Sequence, residues 1–275
     1  MNYLKSLIAP DELALISPDD HKWFKSIFDR FDGYPTIEQI WLIMDELWNE
    51  LECDYKVIDF KIDKFYSHPV WLLNGLFAEQ HEKSLFHRQT FSEWVCSQKP
   101  KRVAEIGGGF GTLARMIGKS CPNVEVDIIE PFPNQIAVAR AKNFNNVNYK
   151  KSLEGKYDVL ISMDVFEHVP DPLALVAQTG KYLKHDGLYL INNCFYPVVQ
   201  CHLPQCFHFR YTWDKALKEM GFNINQKILH GTVFIIQKEL DLDAAQLIEQ
   251  KSKKLWKFNK NLHRYIQRLL TQLLI

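Results

Sequence analysis

Residues Glu105-Ile106-Gly107-Gly108-Gly109-Phe110-Gly111 restrict what this chain can fold into more than any other stretch. An apolar run at 102–106 leads into them, and a helical pattern at 112–120 follows at once. A strand that becomes a helix within a few residues needs backbone conformations that glycine adopts at little cost. Glycine also lets the backbone come close to a ligand. The G-x-G-x-G spacing is not that of a dinucleotide site. Thr112 stands where that fingerprint places its last glycine, and a pyrophosphate wants the helix N-terminus as its anion site.

The surrounding pattern decides the fold class. From Lys101 onward, residues 102–106, 124–129, 147–150, 157–163 and 187–192 read as strands. Residues 112–120, 133–143 and 172–184 read as the helices between them. Nearly all-apolar strands alternating with helices predict a parallel sheet covered on both faces. Two more strands are expected at 223–229 and 232–238. The gap at Gly231 is too short for a helical crossover, so these two form an antiparallel hairpin.

Glu130 ends the second strand, 19 residues after Gly111. A carboxylate there can accept hydrogen bonds from both hydroxyls of a ribose. With these residues in place, positions 101–238 resemble the core of the class I S-adenosylmethionine-dependent methyltransferases. Val103-Ala104-Glu105-Ile106-Gly107-Gly108-Gly109-Phe110-Gly111 looks like their first motif, and Ile128-Ile129-Glu130-Pro131 like the second-strand motif. The run from Tyr157 to Val169, followed by Pro170-Asp171-Pro172, looks like the fourth-strand motif. Leu183 to Leu190 resembles the turn into strand five.

The resemblance implies an α/β fold: a seven-stranded Rossmann-like sheet with helices on both faces and its last strand antiparallel. Here a helical N-terminal region and a C-terminal helix are added. It implies S-adenosylmethionine as cofactor, held by Glu105, Gly107, Gly108, Gly109, Gly111, Glu130, Pro131, Ser152, Leu153 and Asp164, with Glu105 close to the methionine part. One departure concerns adenine. Many members carry an Asp near the end of strand three, whereas this chain reads Tyr149-Lys150-Lys151-Ser152-Leu153. Ser152 or backbone groups then take its place.

Methyl transfer needs an aligned acceptor and, for a hydroxyl, a group that removes its proton. Asp164 and the Glu167-His168 pair follow strand four, so they border the cleft. Asp164 meets cofactor or acceptor, and the resemblance makes His168 structural. The segment from Cys201 to Tyr211 lies where the family places acceptor-binding loops. Its His202 and His208 are the candidate bases, because an imidazole titrates near neutrality. Each has a plainer reading, as a helix cap or as packing against Phe207 and Phe209. Arg210 binds an acidic group of the acceptor or forms a surface ion pair. Cys194, Cys201, His202, Cys206 and His208 lack a C-x-x-C pair, so no metal is expected.

Outside residues 99–239 the chain reads as helix. Residues 1–98 form a helical region that acts as cap or interface. Ser17 and Thr36 open two of its helices, and a third stretch at 70–97 is broken near Gly75. Its segment from Asn74 to Arg88, with His81 and His87, is the expected lid. Residues 240–275 form an amphipathic helix with a basic polar face. That helix docks on a membrane surface or partner, or it packs on the N-terminal helices or on a second subunit of a homo-oligomer. The packed reading is the expectation, because the N-terminal helices also have apolar faces to cover.

Lys plus Arg equals Asp plus Glu at 33 each, so no global field attracts nucleic acid. No secretory leader and no run of about 20 apolar residues is seen. Six reduced cysteines in a cytoplasmic protein are therefore expected. The helical addition and the Ile-Gly-Gly-Gly-Phe-Gly loop are similar to sugar O-methyltransferases of bacterial surface-polysaccharide pathways. That likeness implies a carbohydrate-like small-molecule acceptor. An N- or carboxylate-directed small-molecule methyltransferase, or a non-catalytic partner that keeps the cofactor site, is the alternative.

Overall fold

The structure, a computed structural model, describes residues 2–236 and 238–273. Its N-terminal part runs through α1 (Asn2–Leu7), α2 (Pro10–Leu13), α3 (Pro18–Arg30), α4 (Ile37–Glu50), α5 (Phe60–Tyr66), α6 (Val70–Ala78) and α7 (Glu82–Ser97). The helix starts follow local chemistry. The Asp20 amide donates to Ser17 Oγ at 3.1 Å. Thr36 and Gln39 bond each other's backbone amides, closing a reciprocal cap on α4. The expected break at Gly75 is corrected. Gly75 lies inside α6, and the chain breaks at 79–81. A Cβ at Gly75 would lie 2.7 Å from Phe110, so glycine is required there by packing, not by a turn.

The sheet-bearing part follows as β1 (Arg102–Ile106), α8 (Thr112–Ser120), β2 (Glu125–Ile129), α9 (Gln135–Ala141), β3 (Val147–Lys150), β4 (Tyr157–Met163), α10 (Pro172–Gly180) and β5 (Leu183–Asn192). Then come α11 (Trp213–Met220), β6 (Phe222–Ile228), β7 (Gly231–Ile236) and α12 (Leu242–Leu273). Among the described residues the seven strands form one sheet in the order β3-β2-β1-β4-β5-β7-β6. Strands β1 to β5 run parallel, and β7 lies antiparallel between β5 and β6. Strand order reverses between β1 and β4, so their C-terminal ends open the crevice where such sheets bind ligands.

Two details depart from expectation. β5 starts at Leu183, not 187, and the extra length is absorbed by a register shift between Tyr157/Leu183 and Val159/Leu188. Asp186, with φ of 60°, makes the local turn that permits it. Cys96 and Cys121 form a disulfide with Cα atoms 6.0 Å apart, where free thiols were expected. Helix α7 packs on α8 and brings them together. Cys53, Cys194, Cys201 and Cys206 are free.

Apolar side chains fill both faces of the sheet. Phe91 and Val95 of α7 join Leu113 and Ile117 of α8 against Val103, Val126 and Ile161 on one side. On the other, Leu160, Phe166 and Tyr189 belong to the same cluster as Leu4, Phe24, Trp48 and Phe65. The N-terminal helices are thus continuous with the core. Helix α12 packs on α11, α10 and the 3-10 turn Pro204–Tyr211, burying Ala245 and Ser252. Leu247, Leu255 and Phe258 face solvent. Side chains from Lys260 onward, including Leu262, Arg264, Ile266, Arg268, Leu269, Leu270 and Leu273, lie outside the described residues. Among the described residues no helix is long and apolar enough to cross a membrane.

Candidate active site

The glycine loop caps the end of β1. The Gly107 amide donates to Ile129 O and the Gly111 amide to Gly108 O, both at 2.8 Å. Gly107 has φ of 62°, and a Cβ there would sit 2.5 Å from Val165, so two constraints exclude a side chain. Gly109 is also left-handed, with φ of 52°, but a Cβ there would meet nothing within 4 Å. The loop borders open space at that point. Tyr149 Oη donates to Gly109 O at 2.9 Å and ties the loop to β3. A Cβ at Gly111 would lie 2.7 Å from the same hydroxyl.

Three carboxylates gather at the strand ends. Glu105, on β1, is buried, and its Oε2 accepts the Ala114 amide at 3.1 Å. Burial pushes its pKa up to about 7, and nearby Glu130 adds to the rise, while Arg88 and Arg115 oppose it. Glu130 follows β2, and each of its oxygens accepts one backbone amide, from Gly109 at 2.9 Å and Phe132 at 3.0 Å. Burial raises its pKa and those two amides hold it back. Asp164 follows β4 in the left-handed region, with φ of 53°. Its amide donates to Asn192 O at 2.8 Å. It is open to solvent, yet crowding by protein raises its pKa, as in a cleft. Arg88 of α7 supplies the positive charge that opposes this at both Asp164 and Glu105.

Aromatic rings from the N-terminal region meet residues that follow β2 and β4. Tyr66 of α5 stacks on Phe132 with centroids 5.9 Å apart and planes at 15°. It also stacks on Trp71 at 5.1 Å and meets His168 edge-on at 6.4 Å. Tyr66 and Trp71 precede the segment 74–88 expected as lid. Within that segment, Gly75 touches the loop and Arg88 faces the acids. His81 is exposed beside Phe77, and His87 pairs with His230.

The residues expected from sequence divide into groups. Glu105, the four loop glycines, Glu130 and Asp164 come together around the crevice. Pro131 is exposed next to Glu130, and Ser152 and Leu153 lie in the turn after β3, exposed and half-buried respectively. His202 meets His168, with ring centroids 4.7 Å apart. It is buried, its Nδ1 is 2.7 Å from Tyr196 O, and burial lowers its pKa. His208 is separate. It is buried with Nδ1 3.0 Å from Ser252 Oγ of α12, and burial lowers its pKa to about 4. Arg210 lies over the Tyr196 and Trp256 rings, at 4.3 and 4.9 Å. Sequence reasoning missed Tyr66, Arg88 and Tyr149 as site residues. A helical or strand pattern marks such residues as ordinary surface or core, and nothing local distinguishes them.

A family model described as a methyltransferase domain matches residues 77–228. The ubiquinone biosynthesis O-methyltransferase of Actinobacillus pleuropneumoniae serotype 7 is 25% identical over 148 residues, covering 48% of this chain and 63% of that one. The protein of the same name from Erwinia tasmaniensis is 28% identical over 126 residues, covering 42% and 52%. The chain thus spans less than two thirds of the length of these relatives. Among solved structures, an O-methyltransferase family protein from Burkholderia thailandensis superposes with a TM-score of 0.51 at 14% identity, over 74% of this chain and 72% of that one. That likeness is one of fold.

Proposed function

Because this chain belongs to the methyltransferase-domain family, we propose that it transfers a methyl group from S-adenosylmethionine to a hydroxyl of a small polar acceptor. The observation that carries this reading is the charge of the crevice. Glu105, Glu130 and Asp164 converge on the ends of β1, β2 and β4, and Glu130 is close enough to raise the cost of ionising Glu105. Such a set suits a ligand that carries a sulfonium and an ammonium group, and repels a pyrophosphate. The residues also fit by shape. Open space borders Gly109, where the backbone can approach the ligand. Each Glu130 oxygen spends one acceptor site on an amide and keeps another for a ribose hydroxyl.

When bound, the cofactor supplies an electrophilic methyl on a good leaving group. The chain's residues do the rest. Arg88 offers a partner for a carboxylate of the ligand. Tyr66 and Trp71 exclude water and offer flat faces to a ring. The acceptor's proton leaves toward the Glu167–His168–His202 cluster, because His208 is enclosed under α12.

For the acceptor, we favour a carbohydrate-like hydroxyl in surface-polysaccharide biosynthesis, since aromatic faces suit the C–H faces of sugars. A second reading, an acceptor from ubiquinone biosynthesis, draws support from the names of the relatives. Two measurements test the proposal. S-adenosylhomocysteine at 100 times its Kd should stabilise the fold by about 2.7 kcal/mol, and no shift in Tm at millimolar ligand would overturn the cofactor. A screen of activated sugars and ubiquinone precursors, read by S-adenosylhomocysteine release, separates the two acceptors.

A further inference from the structure

Behind the cleft, Glu167, His168 and His202 meet with one potential ligand atom from each, all within 4.8 Å of one another. Glu167 is fully enclosed, at 0% exposure. Its Oε1 accepts the Cys194 amide at 2.7 Å, whereas Oε2 has no hydrogen-bond partner. A buried carboxylate oxygen in that condition is costly unless something positive meets it.

The two imidazoles are oriented for that task. His168 Nδ1 is 3.0 Å from Cys201 O, and His202 Nδ1 is 2.7 Å from Tyr196 O. A carbonyl accepts only, so Nδ1 of each ring carries the proton and Nε2 presents a lone pair. Backbone carbonyls hold metal-ligating histidines in the same way. Two imidazole lone pairs and an unpaired carboxylate oxygen make the cluster an acceptor-only ligand set.

We propose that Glu167, His168 and His202 hold one divalent transition-metal ion. Two imidazoles and one carboxylate suit zinc, cobalt, iron(II) or manganese, and three protein ligands leave a coordination position open. His168 also touches Tyr66 and Trp71, so the site adjoins the cleft. Sequence spacing concealed the site, because His202 lies 34 residues after His168. The inference goes beyond the methyl-transfer reading and does not require it.

The test uses the full chain, stripped with chelator and dialysed against cobalt(II) at pH 7.5. The expected result is one bound equivalent by mass spectrometry, with visible cobalt absorption. Glu167→Gln and His202→Gln should each lower cobalt affinity at least tenfold, while retaining a native circular dichroism spectrum. His87→Ala is the control for adventitious binding, because His87 and His230 form a pair with ring centroids 5.7 Å apart. It should leave cobalt binding unchanged. No cobalt in the wild type, undiminished binding in both cluster variants, or binding lost in His87→Ala would overturn the proposal. If the cluster variants unfold, X-ray absorption of the wild-type cobalt protein decides: two imidazoles and a carboxylate support it, and a shell with fewer than two imidazoles sinks it. A thermal shift with S-adenosylhomocysteine, run alongside, reports on the cofactor site separately.

Discussion

Gly75 and Phe110 meet where a methyl group does not fit: a Cβ on Gly75 would lie 2.7 Å from both Cβ and Cγ of the ring residue. A cap helix thereby rests directly on the glycine loop. Gly75→Ala should cost about 1–3 kcal/mol through overpacking, although alanine is the better helix former. Urea denaturation checks this. An unchanged or raised midpoint would mean that the contact yields freely.

Glu130→Ala should weaken S-adenosylhomocysteine binding by about tenfold or more, from the loss of charge-assisted hydrogen bonds worth roughly 1.5–3 kcal/mol. The acceptor's KM should change less. Calorimetry with the cofactor product decides, and equal affinity in the variant removes Glu130 from the site.

Glu105 gives a pH signature. Its pKa rises from 4.5 to about 7 on folding, so the folded state holds its proton more tightly than the unfolded chain. Its contribution is fully favourable below pH 4.5 and is lost as pH rises through about 7. Full loss amounts to about 3 kcal/mol. Glu105→Gln should therefore be more stable than wild type at pH 8 and similar at low pH, without ligand. Parallel denaturation curves at both pH values test the sign.

Arg140 is clamped by two acids. Its Nε and Nη2 donate to Glu12 at 2.8 Å each, and Nη1 pairs with Glu79. Glu79 also holds Arg115 and accepts from Thr112 Oγ1 at 3.1 Å. Arg140→Ala leaves two mostly buried carboxylates without this partner and should cost about 2–4 kcal/mol. A loss below about 0.5 kcal/mol would class the cluster with ordinary surface pairs.

The histidines should separate in turnover. His202→Ala should lower kcat by at least about 100-fold, whether its ring takes the acceptor's proton itself or helps to hold the metal ion proposed above. His208→Ala should keep the rate per folded molecule and lower Tm, because its ring is buried against Phe209 and Ser252. Full activity in His202→Ala would move proton removal elsewhere.

The sequence was most readable where one local rule governed. Short, nearly all-apolar runs between helical patterns marked the strands, and glycine spacing marked the loop, because both are expressed within a few residues. Gly75 misled because glycine is a weak helix former, while its true constraint came from Phe110, 35 positions away. Tyr66, the facing of Arg88 to the acids and the meeting of His202 with Glu167 and His168 were unreadable for the same reason. Their roles arise from elements that meet only after the sheet is assembled. The β5 extension escaped notice because a bulge at Asp186 breaks the strand pattern.

The Glu12–Arg140–Glu79–Arg115 chain has a practical meaning for anyone wishing to change what this protein accepts. Tyr66 of α5 and Trp71 of α6 stack beside the crevice, so exchanging residues 1–78 for those of another protein looks like a direct route to new selectivity. Yet the acid that anchors α2 is matched to an arginine in the sheet's own helical layer. The front of this molecule is therefore not a portable module. A graft would have to bring a compatible α9 surface with it, or arrive unseated over the loop it is meant to cover.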